Sequence, residues 1–259
     1  MASNYPIILA HGIVVKDVKF FKAFGRIEKV LKSQGYEVYT SHTDGFGTIE
    51  NNAEQLKNQI HEILQKHGVD KVNIIAHSKG GLDSRYMIEK LGMENSVASL
   101  TTICSPHRGS KLATKLYSLP KWTLKFVAFW VNFWYKIFGD KKPNSLEVLR
   151  QLKEIPQEQY EDAVLCKSVY SQSYSAIMKR SRDDFVMGIP LKIMQKVDKE
   201  QTDGLVSVES SKWGEYKGNC LDESVSHSQI IDFMAGKKKR QKVYEFYLSI
   251  CQDLAERGF

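Results

Sequence analysis

Three side chains have the types and the chain order for nucleophilic catalysis. Ser78 lies in Ala76-His77-Ser78-Lys79-Gly80-Gly81, after the run Lys71-Val72-Asn73-Ile74-Ile75 and before Leu82-Asp83-Ser84-Arg85-Tyr86-Met87. An apolar run, a small-residue turn and a helix-compatible stretch predict strand, sharp turn and helix, with the serine hydroxyl exposed on the turn. Ala76 occupies the motif's first glycine position, which needs only a small side chain. Upstream, Tyr5-Pro6-Ile7-Ile8-Leu9-Ala10 ends in His11-Gly12-Ile13. Attack by Ser78 on a carbonyl creates an oxyanion, and the N–H groups of Ile13 and Lys79 are the expected donors to it. Asp203, in Thr202-Asp203-Gly204-Leu205-Val206-Ser207, is the expected acid, with Asp198 and Asp222 as competitors. Of the seven histidines only His227 follows that loop. Its Nε2 is placed to take the serine proton while Asp203 holds Nδ1–H.

These groups need a sheet to present them. Residues 18–34 repeat Phe20, Phe21, Phe24, Ile27, Val30 and Leu31 at helical spacing and stop at Gly35; residues 51–67 do the same with Leu56, Ile60, Ile63 and Leu64 before Gly68. Strands are expected at 36–41, 72–76, 97–103 and 191–197, with a short one near Val206, and a last helix at about 239–256. Strands alternating with helices give an α/β fold, a mostly parallel central sheet covered on both faces. Length suits one domain over 1–259. The apolar share of 42% and charged share of 26% are ordinary for a globular chain. Met1-Ala2-Ser3-Asn4 leads into the first strand with no apolar leader segment. The expectation is a cytoplasmic chain or a leaderless secreted form, leaning to the latter. No run is long and apolar enough for a transmembrane span.

The pieces from Tyr5 to Gly12, Val72 to Gly81 with Arg85-Tyr86, Ser105-Pro106-His107-Arg108-Gly109-Ser110, Thr202 to Ser207, and His227 together resemble the bacterial family I triacylglycerol lipases of the Pseudomonas, Burkholderia and Proteus type, in the α/β-hydrolase superfamily. The resemblance implies hydrolysis of acylglycerol and other fatty-acyl esters through an acyl-enzyme. The family often braces its histidine loop with calcium, using an aspartate two residues after the histidine. That position is Gln229 here; Asp183 or Asp184 stands where the other family aspartate is expected. With one carboxylate missing, no metal and no cofactor are expected. His107 is expected to make a structural loop hydrogen bond, and Arg85 to anchor a neighbouring loop. Lys79 and Asp83 are spaced for a modest helical pair. Cys104, Cys166, Cys220 and Cys251 lack metal-ligand spacing and read as buried thiols, although a Cys166–Cys220 bridge is open.

An insertion at about 111–170 holds three of the four tryptophans. Trp122, Phe126, Phe129, Trp130, Phe133 and Trp134 fall near one helical stripe flanked by Lys121, Lys125 and Lys136. That stripe reads as a lid or acyl-groove helix that opens at an oil–water or lipid surface, with residues 139–144 as a hinge. Lys237-Lys238-Lys239-Arg240 reads as a solvated helix start. The net charge of +7 comes with no nucleic-acid motif, so nucleic acid is not an expected partner. Alternatives are a short-chain esterase with a fixed cap, a phospholipase or acyltransferase using the same residues, and a lipid-binding protein with a dead triad.

Overall fold

The structure, a computed structural model, describes residues 3–13, 22–153, 168–197 and 199–259. Six strands form one sheet in the order β2-β1-β3-β4-β5-β6, and every neighbouring pair is parallel. The strands are β1 (Ile7–Ala10), β2 (Val38–Thr40), β3 (Val72–His77), β4 (Val97–Ile103), β5 (Tyr170–Ser175) and β6 (Glu215–Asn219). Strand periodicity splits the core in two. Ile7 and Leu9 of β1 and Ile75 of β3 pack on one face with α1 (Ile27–Ser33) and α9 (Lys237–Glu256). Ile8, Ala10, Ile74 and Ala76 point to the other face, toward α2 (Ile49–His67) and α3 (Lys79–Lys90). Both faces being buried explains why β1 reads as an unbroken apolar run and why β3 is apolar from Ile74 to Ala76, with Asn73 and His77 buried beside them.

Between β4 and β5 lie α4 (Lys111–Tyr117), α5 (Lys121–Ile137) and α6 (Ser145–Gln151). After β5 come α7 (Gly188–Val197) and α8 (Val208–Ser211). Two strand expectations are corrected. Residues 191–197 belong to α7: Leu-Lys-Ile alternates like a strand, but the buried side chains are Leu191 and Met194, one helical turn apart. The segment at Val206 is a bridge across the acid loop, from Thr202 to Ser207, followed by α8. The strands that complete the sheet are β5 and β6, whose sequences Tyr-Ser-Gln-Ser-Tyr-Ser and Glu-Tyr-Lys-Gly-Asn carry no apolar run. Of the first expected helix, Ile27–Ser33 is helical as α1; Val18, Phe20 and Phe21, like Cys166 and Asp198, lie outside the described residues.

Candidate active site

The sheet delivers Ser78 at the C-terminal end of β3, on the sharp turn into α3. Its backbone has φ 55° and ψ −132°, a left-handed conformation rarely adopted by a residue with a Cβ and held here by the packing around it. Ser78 N–H donates to the Ile103 carbonyl at 3.0 Å, and Gly81 N–H to the Ser78 carbonyl at 3.0 Å. Glycine at position 80 lets α3 pass over β1: a Cβ there would lie 2.3 Å from the Ala10 oxygen. Gly12 is equally constrained, since its Cβ would lie 2.7 Å from Ser78 Cβ and 3.0 Å from the Lys79 nitrogen. The first loop therefore runs against the turn at Gly12, and Ile13 is the next residue along it.

Asp203 and His227 converge on that hydroxyl. His227 Nδ1–H donates to Asp203 Oδ2 at 2.6 Å, and Ser78 Oγ lies 2.9 Å from Nε2. Asp203 is fully buried, and its other oxygen accepts the N–H groups of Leu205 and Val206 at 2.9 and 2.8 Å. A second tie, from His227 N–H to the Asp203 carbonyl at 3.0 Å, joins the two loops. An imidazole bridging a hydroxyl and a buried carboxylate can take the hydroxyl proton while the carboxylate stabilises the imidazolium. The competitor Asp222 instead lines a separate cleft with Glu223 and Lys242. The His77 ring packs 4.5 Å from the His227 ring, and burial, aided by the His227 charge, keeps it well below the usual histidine range and neutral.

Several neighbours are structural. His107 Nε2–H donates to Thr102 at 3.0 Å and Nδ1 accepts from Arg85 at 3.3 Å; Trp213 stacks on the His107 ring at 4.9 Å and lies under the Arg85 guanidinium. Lys79 and Asp83 form a fully buried ion pair at 2.6 Å, with Asn52 donating to the second Asp83 oxygen. The expected helical pair is formed, and its full burial is what the sequence did not show. Burial raises the Asp83 carboxyl to about 6, against the pull of Lys79. Cys104, Cys220 and Cys251 are buried free thiols. Sγ of Cys104 lies within 4.8 Å of ligand atoms of Asp203 and His227. Burial, then contact with Cys220 and Asp203, pushes that thiol well above its usual range, so it stays protonated. A metal takes the thiolate, and His227 Nδ1 is already bound to Asp203.

The histidine loop is held by donors that do not fit calcium. Asp184 is buried; its Oδ2 accepts Ser226 and Ser228 hydroxyls at 2.5 Å each, and its Oδ1 accepts the N–H groups of Val186 and Met187 at 2.7 and 3.0 Å. The Gln229 oxygen accepts the Lys239 ammonium at 2.8 Å, and its NH₂ donates to the Asp183 carbonyl at 2.7 Å. Asp183 takes the Ser224 hydroxyl at 2.6 Å. A hard cation needs several free carboxylate or carbonyl oxygens; these are filled by protein donors, and one already carries an ammonium. Sequence reasoning missed this clamp, whose signal was serine at 224, 226 and 228 around His227. It also missed that the basic run is partly used: Lys239 binds Gln229, and Arg240 binds Asp232 at 2.6 Å.

Next to Ile13 a groove of about 200 Å³ runs between α5 and α6, lined by Phe46, Leu124, Val127, Ala128, Val131 and Leu152, among others. Trp122, Phe126, Phe129, Trp130, Phe133 and Trp134 do not line it. They lie on the outward face of α5, which buries no residue. The segment expected as a hinge is tied down at its start in this structure. Asp140 is buried and accepts the N–H groups of Gly45 and Phe46 at 3.0 and 2.8 Å, while Asp44 accepts those of Lys141 and Lys142 at 2.9 and 2.8 Å. This reciprocal clamp pins the end of α5 to the loop after β2.

The family model for palmitoyl protein thioesterase matches residues 6–177. Triacylglycerol lipase 2 of Saccharomyces cerevisiae is 32% identical over 90% of this chain and 73% of that protein. A triacylglycerol lipase of Pseudarthrobacter phenanthrenivorans is 40% identical over 43% of this chain and 36% of its own length. The fold is that of a metagenomic carboxyl esterase, with TM-score 0.74 and 17% identity over 97% of this chain and 76% of the other. Among the described residues no helix is long and apolar enough to cross a membrane. The chain belongs to the palmitoyl protein thioesterase family and is a lipase-like serine ester hydrolase of the α/β-hydrolase fold.

Proposed function

We propose that Ser78, His227 and Asp203 are the nucleophile, general base and orienting acid of a hydrolase acting on fatty-acyl esters, acylglycerols first among them. The observation that carries this is one imidazole joining Ser78 Oγ at 2.9 Å to Asp203 at 2.6 Å. Ser78 Oγ bonds to the carbonyl carbon as His227 Nε2 takes its proton. The resulting oxyanion faces the N–H groups of Ile13 and Lys79. Collapse expels the alcohol, protonated from Nε2, and leaves an acyl-Ser78 ester. Water then attacks, gives its proton to the same nitrogen, and releases the fatty acid as Ser78 recovers its hydrogen. No step runs through a metal. The acyl chain occupies the groove between α5 and α6, because Ile13 belongs both to that groove and to the oxyanion loop. The substrate is met at a lipid surface, a reading supported by the exposed aromatics of α5.

The resemblance of the Ser78, Ser105 to Ser110 and Asp203 segments to the bacterial family I lipases supports a triacylglycerol substrate. The matched family favours a second reading, a palmitoyl thioester, because the same attack serves a thioester carbonyl. The test is fluorophosphonate labelling, followed by rates on acetyl to palmitoyl esters, below and above their solubility limit, and on a palmitoyl thioester. Labelling at Ser78 alone, a rise at the emulsion point and a loss of about 10⁴-fold or more in Ser78→Ala are expected. Full activity in Ser78→Ala would sink the proposal. A maximum at acetyl or butyryl esters with no rise would indicate a short-chain esterase, and absence of labelling a lipid-binding protein.

A further inference from the structure

Among the described residues, every exposed large apolar side chain lies in three places: residues 116–138, residues 185–197, and Met234. The densest stretch is α5, where Trp122 is 75% exposed and Phe129 62%. Helices α4 and α7 pack together, so the first two stretches adjoin. The second begins at Phe185, 92% exposed, beside the Asp184 that holds the His227 loop; Met234 follows that loop. The apolar surface therefore rims the site rather than being scattered.

Charge on this rim is mainly positive, with Glu200 meeting Lys111 at 3.6 Å where α4 adjoins the end of α7. Residues 111–142 contain seven lysines and a single acid, Asp140. That acid is buried in the clamp on Gly45 and Phe46 and offers the surface no negative charge. Two more lysines, Lys192 and Lys196, stand exposed on α7. The face is also preset. Its end is fixed by the reciprocal Asp44 and Asp140 clamp, Tyr135 packs edge-on against Phe46 at 4.5 Å, and Asn132 accepts Ser145 N–H at 2.8 Å. The aromatics point outward in this clamped state.

We propose that the α4–α5–α7 rim is a standing docking surface for an anionic phospholipid bilayer. The α5 aromatics enter the headgroup layer, the lysines pair with lipid phosphates, and the groove beside Ile13 is brought to the membrane. What is delivered there rests on the ester-hydrolase reading; the docking does not. An amphipathic helix rich in Trp, Phe and Lys lies in such an interface, and Trp rings favour the headgroup level. A neutral oil surface offers no countercharge to the lysines. A second copy of this chain meeting the same face across a two-fold axis would set one lysine row against another.

The test uses the full chain carrying Ser78→Ala, so that vesicles are not consumed. Vesicles of phosphatidylcholine alone, vesicles of phosphatidylcholine with phosphatidylserine, and a triolein emulsion are compared by flotation and tryptophan fluorescence. Trp213 is buried, so a blue shift reports Trp122, Trp130 and Trp134. Binding selective for the phosphatidylserine vesicles and weakened by salt is expected. At roughly fivefold per lysine, reversing Lys121, Lys125 and Lys136 to Glu weakens binding by at least about a hundredfold. The same three changes in the Ser78 background leave hydrolysis of a soluble butyryl ester unchanged. Trp122→Ser with Phe129→Ser removes the binding that survives high salt. Equal binding to neutral vesicles or triolein, absence of binding, or a concentration-dependent dimer abolished by the lysine reversals overturns the proposal. Binding without ester hydrolysis in the Ser78 protein would instead overturn the enzymatic reading and leave the docking intact.

Discussion

Removing the Asp184 carboxylate is the sharpest test of how His227 is held. In Asp184→Ala, Ser226 and Ser228 on either side of His227 lose their common acceptor, and the N–H groups of Val186 and Met187 lose theirs. A hydrogen bond to a charged acceptor is worth about 1.5–3 kcal/mol net. The two serine bonds alone therefore put the loss at about 3–5 kcal/mol once partial rescue by water is allowed for. In a chain of this size that is a fall of about 10 °C in Tm. The catalytic effect is larger than a folding defect would give. A shift of about 1 Å in the imidazole costs about 10²-fold in kcat, with KM for a short soluble ester nearly unchanged, because the groove beside Ile13 is untouched. Asp184→Asn, which keeps an acceptor for the two backbone amides, recovers part of both losses. Stopped assays of kcat and KM, thermal melts, and both in calcium or chelator make the measurement. Neither addition is expected to change the wild type. A chelator-sensitive wild type, or Asp184→Ala with kcat within twofold of it, would refute the reasoning. The acid limb follows too. Burial alone would raise the Asp184 carboxyl, but the hydrogen bonds from Ser226, Ser228, Met187 and Val186 outweigh it and hold it below 3.8. Its stabilising contribution is thus complete above that value and is lost as pH falls through the lower folded one.

Asp83→Leu leaves the Lys79 ammonium buried without a partner and is expected to cost about 3–5 kcal/mol by denaturant titration, whereas Lys79→Met with Asp83→Leu comes back to within about 1–2 kcal/mol. Because burial raises Asp83 from 3.8 to about 6 on folding, folding binds a proton between those values and stability falls as pH rises across them; Asp83→Asn flattens that slope in urea melts taken along the window. Gly12→Ala places a methyl 3.0 Å from the Lys79 nitrogen and is expected to lower kcat by about 10²–10³-fold with little change in KM; unchanged kcat would remove Ile13 and Lys79 from the oxyanion role. Ala128→Phe fills the groove and is expected to cut the octanoyl-to-butyryl rate ratio by about tenfold or more; an unchanged ratio would place the acyl chain elsewhere.

What could be read from the chain was local chemistry backed by burial. Val72 to Ala76, Asn73 aside, and Ile7 to Ala10 are apolar because both sheet faces are covered, and the small residues after them mark the turns that carry Ser78 and Ile13. Asp203 and His227 were legible from their order and from the Asp-Gly turn. The polar strand β5 was not, since Ser171, Ser173 and Ser175 are buried against other polar groups and carry no hydrophobic signal. Strand-like alternation in α7 misled because its Lys192 faces solvent while Leu191 and Met194 face the core. Likewise, no pattern in the residues shows that Lys79 and Asp83 are buried together; that depends on Asn52 arriving from α2. The α5 aromatics were placed on the right helix, but periodicity does not tell which stripe faces the groove.

The left-handed backbone at Ser78 carries a consequence for the stability of this chain. A serine held there costs about 1–3 kcal/mol, which a glycine would return. Ser78→Gly should therefore give an inert protein that melts higher than the active one.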